Sequence, residues 1–285
     1  MSTELDLSIV IPCRDAATVL AEQLEALTRE PHGSWEVLVV DNGSTDSTVE
    51  IARRFANKLP GFRVVDASDR PGRHHACNVG AAQATGRSLI FLDADDRIAP
   101  GFVAAMSAAL QQHATAVPRF DYAAFGADAS LHFAYQTDGV PDTDFLPAAS
   151  GSGFGIHRDV FDGVGGFDET MTYCEDMDLS WRVVLAGVAL VFVPDAVVRK
   201  RQRSDLRAMF RQHFQFGVAM ARLFRKYHAV GMPRRPFAEV WRDWRMIVVG
   251  LPRLRTADAR VRWTRRTGRA LGRLWGSVVN RTLYV

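Results

Sequence analysis

The chain has 285 residues, 47% of them hydrophobic, which is enough for one large domain or one domain with an appendage. Three scattered cysteines, Cys13, Cys77 and Cys174, exclude a disulfide framework and suit a reducing compartment. No window holds eighteen uninterrupted apolar residues, so no transmembrane helix is expected, and the start MSTELDLSIVIP, acidic before its apolar run, lacks the pattern of a secretory signal.

The first strand is expected at Leu7–Pro12, followed by a helix over Ala16–Thr28 with Val19, Leu20, Leu24 and Leu27 at helical spacing. A second strand, Trp35–Val40, ends in Asp41. Asn42-Gly43-Ser44 is turn chemistry, and Ser44 or Thr45 can cap a helix running to about Ala56. Phe62–Asp66 reads as a third strand, Asn78–Thr85 as a short helix closed by Gly86, and Ser88–Asp93 as a fourth strand. Pro100–Gln112 is a further helix. The alternation β-α-β-α-β-α-β predicts an α/β fold with a doubly wound, mostly parallel, Rossmann-like sheet. From His113 to Ser150 the pattern loosens, predicting irregular strands and loops and a variable binding face. Glycine-rich Ser150–Gly155 leads to a helix at Arg158–Val164, a turn at Gly165–Asp168 and a helix at Cys174–Ala186. A strand at Leu190–Val193 is expected to stop at Pro194.

Net charge is only +3, but its distribution is uneven. Residues 1–198 hold 13 Lys and Arg against 28 Asp and Glu, a balance of −15, and residues 199–285 hold 22 against 4, a balance of +18. This break at Arg199 suggests two functional parts. Beyond it, a long helix is expected over Ser204–Tyr227, with Pro233, Pro236 and Pro252 punctuating the rest.

The apolar run Leu89-Ile90-Phe91-Leu92 suits a strand buried on both faces, and it ends in Asp93, Asp95 and Asp96. Carboxylates gathered there repel one another unless a cation sits among them, and hard oxygen ligands suit Mg²⁺ or Mn²⁺. Ligands of open α/β sheets bind beyond the carboxyl ends of the strands, so a metal with a phosphate-bearing ligand is expected there. The alternative is an acidic turn that caps the next helix.

The ordered segments SIVIPCRD, VVDNGSTDST, RHHACNVGAAQATG, LIFLDADD and GGFDETMTYCEDMDLSWR resemble the motifs of family-2 inverting glycosyltransferases, which have the GT-A fold. The likeness covers roughly residues 6–200. It implies a GT-A catalytic domain over 1–198, with nucleotide-sugar binding at about 1–112 and the acceptor side at about 113–198. A basic, mostly helical extension, 199–285, would follow. It implies that Asp41 accepts a hydrogen bond from the nucleotide base, the alternative being an Asx-turn with Asn42. Pro12 and Cys13 would line the base pocket by their backbone, and Arg73 and Asn78 would lie by the diphosphate, where a cation and a helix N-terminus are physically sensible. Asp93 and Asp95, the DxD pair, would hold the divalent cation, Mn²⁺ or Mg²⁺. The Asp of the ED pair, Asp176, would be the general base that deprotonates the acceptor hydroxyl, with Glu175 positioning the acceptor or the base. The helix dipole alone would also explain acidic residues there. Trp181 is a candidate to stack on the acceptor, or a core residue, and Gly153 is a candidate on the same side. Three features depart from the family: Asp15 and Cys77 stand where Asn and Arg are frequent, and Arg199, which cannot ligate a metal, stands where many relatives carry a ligating His. His74 and His75 are read as solvated or supporting rather than ligating.

In the basic arm, Trp241, Trp244, Trp263 and Trp275 are interleaved with arginines. That composition suits the surface of an anionic membrane, and the resemblance to enzymes of cell-surface glycan synthesis makes a peripheral position on the cytoplasmic membrane face the expectation. Packing of the arm against the acidic part and homodimerisation are the alternatives, and no recognised motif supports nucleic acid. The expected function is transfer of a sugar from a nucleotide-diphospho-sugar to a glycan or lipid-linked acceptor hydroxyl. The rivals are a sugar nucleotidyltransferase, for which CRDAATV is not the required phosphate loop, and a degenerate transferase scaffold that only binds.

Overall fold

The computed structural model describes residues 6–125, 135–201, 205–251 and 254–284. An eight-stranded mixed sheet runs through it in the order β3-β2-β1-β4-β7-β6-β8-β5. The parallel part is β1 (Leu7–Cys13), β2 (Trp35–Asp41), β3 (Arg63–Asp66) and β4 (Ser88–Phe91). β1 and β4 are buried along nearly their whole length, as their unbroken apolar runs require of strands covered on both faces. α1 (Leu20–Leu27) and α2 (Thr48–Arg53) cover one face, and α3 (Arg73–Gln83) covers the other. Gly80 of α3 permits that packing, because a Cβ there would lie 2.5 Å from Val10 and 2.7 Å from Val40.

The sheet reverses direction where β7 (Phe154–His157) pairs antiparallel with β4 and with β6 (Thr115–Asp121). β8 (Phe192–Arg199) then runs parallel to β6, and the two-residue β5 (Arg97–Ile98) pairs antiparallel with the end of β8. α4 (Phe102–Gln112), α5 (Arg158–Gly163) and α6 (Glu175–Leu185) flank this half. Mixed, mostly parallel and helix-flanked, the sheet matches the architecture expected from the alternation of elements.

Several boundaries differ from the sequence expectations. α3 begins at Arg73, five residues early, because its N-terminus is held by a tertiary contact: the Gly72 N–H donates to Asn42 Oδ1 (2.7 Å). α2 is capped by neither Ser44 nor Thr45. Asp46 Oδ1 accepts from the Thr48 N–H (3.0 Å), while the Thr45 N–H donates to Asp15 (2.8 Å). The stretch from His113 holds a regular strand, β6, legible only through its burial against β7 and β8. β8 does not stop at Pro194. The ladder pairs Val193 with Pro118 and resumes at Val197 with Arg119, so Pro194 lies in a bulge where its missing N–H is no loss.

The C-terminal region is helical: α7 (Leu206–Tyr227), α8 (Phe237–Gly250) and α9 (Ala257–Val279). Ser204 and Pro252 lie outside the described residues. Asp205 caps α7 by accepting from the Ala208 N–H (2.6 Å). α7 and α9 pack backbone to backbone through Gly217, Gly268, Gly272 and Gly276: a Cβ on Gly268 would lie 2.9 Å from Phe210 O, and one on Gly272 would run into Phe214 O. α7 also packs against the sheet-bearing part of the chain, since Ala219, Ala221, Leu223, Phe224 and Tyr227 share a core with Ala148, Met171 and Trp181. No helix among the described residues is long and apolar enough to cross a membrane.

Candidate active site

The strand order places a switch point between β1 and β4, and ligands of such sheets bind outside the carboxyl ends of the strands there. Cys13 and Asp41 are register partners at the ends of β1 and β2, and Asp93 lies two residues beyond β4. Asp41 accepts from the Ser44 N–H (3.2 Å to Oδ1, 3.4 Å to Oδ2), which braces its own turn while the carboxylate stays half-buried at the rim. Pro12 is half-buried beside it. Cys13 is buried, which with nearby Asp41 raises its thiol pKa far above the usual range and leaves it inert.

Asp93, Asp95 and Asp96 bring carboxylate oxygens within 4.8 Å of one another. Their surroundings differ. Asp93 is bridged by Arg73 through Nε (2.9 Å) and Nη2 (2.6 Å), with Lys200 Nζ at 3.4 Å. Burial alone would raise its pKa, but the two cations outweigh that and hold it well below the usual carboxylate range. Asp96 is buried, pairs with Lys200 Nζ, and accepts from Ser152 Oγ (2.6 Å) and the Arg201 N–H (3.3 Å). Its pKa is pushed up to about 6 by burial, against the pull of Lys200. Asp95 alone offers a half-buried carboxylate with no hydrogen-bond or ion-pair partner among the described residues. This hard oxygen set fits Mn²⁺ or Mg²⁺, with Asp95 free to ligate and Asp93 adjacent.

Arg73 carries the site onward from the carboxylates. Its Nη1, which makes no hydrogen bond, lies 3.6 Å from Glu175 Oε1, and His74 Nδ1 is also 3.6 Å from that oxygen. Glu175 and Asp176 open α6 from Cys174, whose left-handed backbone (φ 58°) turns the chain sharply into the helix. Asp176 Oδ2 accepts from the Gly151 N–H (3.1 Å) and Oδ1 from the Met177 N–H (2.8 Å). Burial and then the Glu175 charge raise its pKa to about 6 despite those two donors. Such a carboxylate is ionised at neutral pH and basic enough to share a proton.

Not every predicted residue reaches this site. Trp181 is fully buried, donates from Nε1 to Leu146 O (2.9 Å) and packs edge-on against Phe145 and Tyr227, so it is a core residue and stacks on no acceptor. Gly153 is buried too; its φ of +76° and the 2.5 Å gap that a Cβ would leave to Pro118 make its role one of backbone packing. Asn78 stands in the second turn of α3, and its amide bonds Phe167 O (2.9 Å) and Glu169 (3.0 Å), tying the 165–170 turn to the sheet. His75 joins Asp69 and Glu169 in the same network. Arg199 turns away to Asp121 (4.0 Å), and Lys200 enters the carboxylates instead.

Sequence reasoning passed over Lys200, Ser152 and Gly151. A Cβ on Gly151 would lie 3.2 Å from the Arg73 guanidinium and 3.4 Å from Asp176 Cβ, so this glycine leaves room for both side chains on either side of it. The rarity of lysine, present only as Lys58, Lys200 and Lys226, was the available signal for Lys200.

The sequence profile of glycosyl transferase family 2 matches residues 8–164, more than half of the chain. The chain belongs to glycosyl transferase family 2. A second profile, glycosyl transferase family group 2, matches residues 88–256 and so reaches into the basic arm of this family-2 chain. The PGL/p-HBAD biosynthesis glycosyltransferase of Mycobacterium bovis is 40% identical over 91 residues, which are 32% of this chain and 36% of that protein. Succinoglycan biosynthesis protein ExoA of Rhizobium meliloti is 28% identical over 249 residues, 78% of this chain and 71% of that one. Among solved structures, the Pyrobaculum calidifontis mannosyltransferase PcManGT in complex with GDP-Man and Mn²⁺ aligns with a TM-score of 0.68 at 19% identity, covering 98% of this chain and 88% of that chain. S. aureus TarS in complex with UDP-GlcNAc aligns with a TM-score of 0.57 at 16% identity, covering 99% and 93%. These likenesses establish the GT-A architecture.

Proposed function

We propose that this family-2 chain transfers a hexose or related sugar from a nucleotide-diphospho-sugar to an acceptor hydroxyl, with inversion, in the synthesis of a cell-surface glycan or glycolipid. The observation that carries the reading is the continuous row Asp93–Arg73–Glu175–Asp176, which joins a carboxylate cluster at the switch point to a basic carboxylate at a helix N-terminus. Residues 1–198 form the catalytic domain in this reading, with Pro12, Cys13 and Asp41 around the base. The GDP-Man and UDP-GlcNAc complexes of its structural neighbours, and the glycan synthesis named for its relatives, support the donor and acceptor classes.

Asp176 takes the proton of the acceptor hydroxyl as the oxygen attacks the anomeric carbon. The bond to the diphosphate breaks on the opposite face, so one displacement inverts the centre and no covalent intermediate forms. Glu175, held by Arg73, fixes the acceptor beside that base. Asp95 and Asp93 would hold the divalent cation, Mn²⁺ or Mg²⁺, which supplies Lewis-acid neutralisation of the departing nucleoside diphosphate.

The arm gives the enzyme its place in this reading, at the inner face of the cell membrane. Along α8, Phe237 (83% exposed), Trp241 (64%) and Val248 (64%) lie at helical spacing beside exposed Arg242 and Arg245. Sedimentation with anionic vesicles at low salt, but not with neutral ones, is the expected outcome, and its absence would remove the membrane from the reading.

The test of transfer is a thermal-shift panel of UDP-, GDP- and dTDP-sugars with Mn²⁺, Mg²⁺ or EDTA on wild type, Asp95→Ala and Asp176→Asn. A selective shift that Asp95→Ala weakens and Asp176→Asn retains, together with loss of sugar transfer in Asp176→Asn, is expected. A scaffold that only binds would keep the same donor shift in Asp176→Asn and show no sugar transfer in either protein.

A further inference from the structure

We propose that Lys200 is a resident cation of the donor site, a side chain that sits among the acidic residues of the free protein and turns onto the donor's diphosphate when it binds. The proposal rests on the transferase reading and adds a residue to it.

The register explains why a lysine is there. β5 starts at Arg97, directly after Asp96, and pairs antiparallel with the end of β8, Arg97 opposite Arg199. The residue after Arg199 must therefore lie beside the residue before Arg97, which puts Lys200 beside Asp96. Alternation along the strand sends Arg199 to the other face, toward Asp121. The Lys200 ammonium contacts Asp96 Oδ2, stands 3.4 Å from Asp93 Oδ2 and lies 5.1 Å from the centre of the Phe120 ring. It occupies the ground between Asp93 and Asp96, adding a second cation to the Arg73 guanidinium on the far side of Asp93.

The two cations of this cluster are not equivalent. Arg73 is fixed to Asp93 by two hydrogen bonds that converge on Oδ1, and it reaches toward Glu175 as well. Lys200 has a flexible four-carbon stem and three donors, and its contact with Asp93 is long. A diphosphate entering over Asp93 and Asp95 offers that ammonium acceptors at least as anionic as the Asp93 oxygen it leaves. A metal on Asp93 and Asp95 would repel Lys200 from Asp93 in the same direction. In either case the ammonium ends on a phosphate oxygen, where it meets the charge that develops as the nucleoside diphosphate departs. Donor binding should then keep a component that needs no metal.

Removing Lys200 alone would leave Asp96 buried and unpaired, so the informative variant is Lys200→Met in an Asp96→Asn background, compared with Asp96→Asn itself and with Lys200→Arg. Binding of UDP, GDP and dTDP to the full chain is measured by calorimetry in EDTA and in saturating Mn²⁺. Wild type is expected to bind one nucleotide in EDTA. The double variant should lose about tenfold relative to Asp96→Asn in EDTA, the effect of one charge-assisted hydrogen bond, and clearly less in Mn²⁺. Lys200→Arg should stay close to wild type in EDTA. Wild-type binding that needs Mn²⁺ absolutely would overturn the proposal. So would an unchanged affinity in the double variant, or an equal loss with and without metal, as a purely structural lysine would give. Absence of binding of every nucleotide under both conditions would overturn the transferase reading, and this proposal with it.

Discussion

Asp176→Asn should make the protein more stable at neutral pH while removing its proposed base. Burial and Glu175 raise the Asp176 pKa from 3.8 to about 6, so the folded chain holds that proton more tightly than the unfolded chain does. For a raised carboxylate the penalty on folding is fully developed above the folded pKa and fades as pH falls through 6 toward 4. With these two pKa values the penalty is about 3 kcal/mol at pH 7, roughly half of that at pH 5 and small by pH 4. Asparagine carries no charge, but it satisfies less well the Gly151 and Met177 N–H groups, a loss of about 1 kcal/mol. The variant should therefore exceed wild type by about 2 kcal/mol at pH 7, the two estimates combined, with the gap closing near pH 4 to 5. Urea unfolding of both proteins at pH 4, 5 and 7 measures it. A variant less stable than wild type at pH 7, or a gap that does not change between pH 7 and pH 5, would refute the assignment of Asp176 as a destabilised, proton-hungry carboxylate.

Asp178 is fully buried, with Lys226 Nζ at 2.6 Å, Tyr227 OH at 2.8 Å and Arg182 Nε at 2.9 Å, so it clamps α6 to α7. Asp178→Ala should cost about 2–4 kcal/mol, since Lys226 and Arg182 keep other partners; a cost below about 1 kcal/mol in urea unfolding would show the clamp to be idle. Gly272→Ala should cost at least about 2 kcal/mol by forcing α9 off Phe214, whereas Gly163→Ala, with open space around it, should lie within about 0.5 kcal/mol of wild type. Gly151→Ala should slow sugar transfer by more than about tenfold by pushing the Arg73 guanidinium away from Glu175 and Asp93, with a melting temperature close to wild type. Phe237→Ser with Trp241→Ser should abolish sedimentation with anionic vesicles and leave stability unchanged, because both side chains are already exposed.

The sequence by itself determined the sheet's parallel half, and it did so for a local reason. β1, β2 and β4 are apolar runs bounded by turn residues, and a run buried on both faces can be read without knowing its neighbours. Ordered motifs likewise picked out the pairs Asp93/Asp95 and Glu175/Asp176, because within each pair the spacing is one or two residues. The tertiary structure decided what depends on pairing between distant segments. β5 is two residues long and exists only because β8 passes beside it; β6 and β8 each carry a proline that a local reading takes as a stop, yet one proline is absorbed in the ladder and the other in a bulge. The same pairing settled which residue after β8 meets the carboxylates. One position of register separates Arg199 from Lys200, and because side chains alternate along a strand, that single position sends one to Asp121 and the other to Asp93 and Asp96.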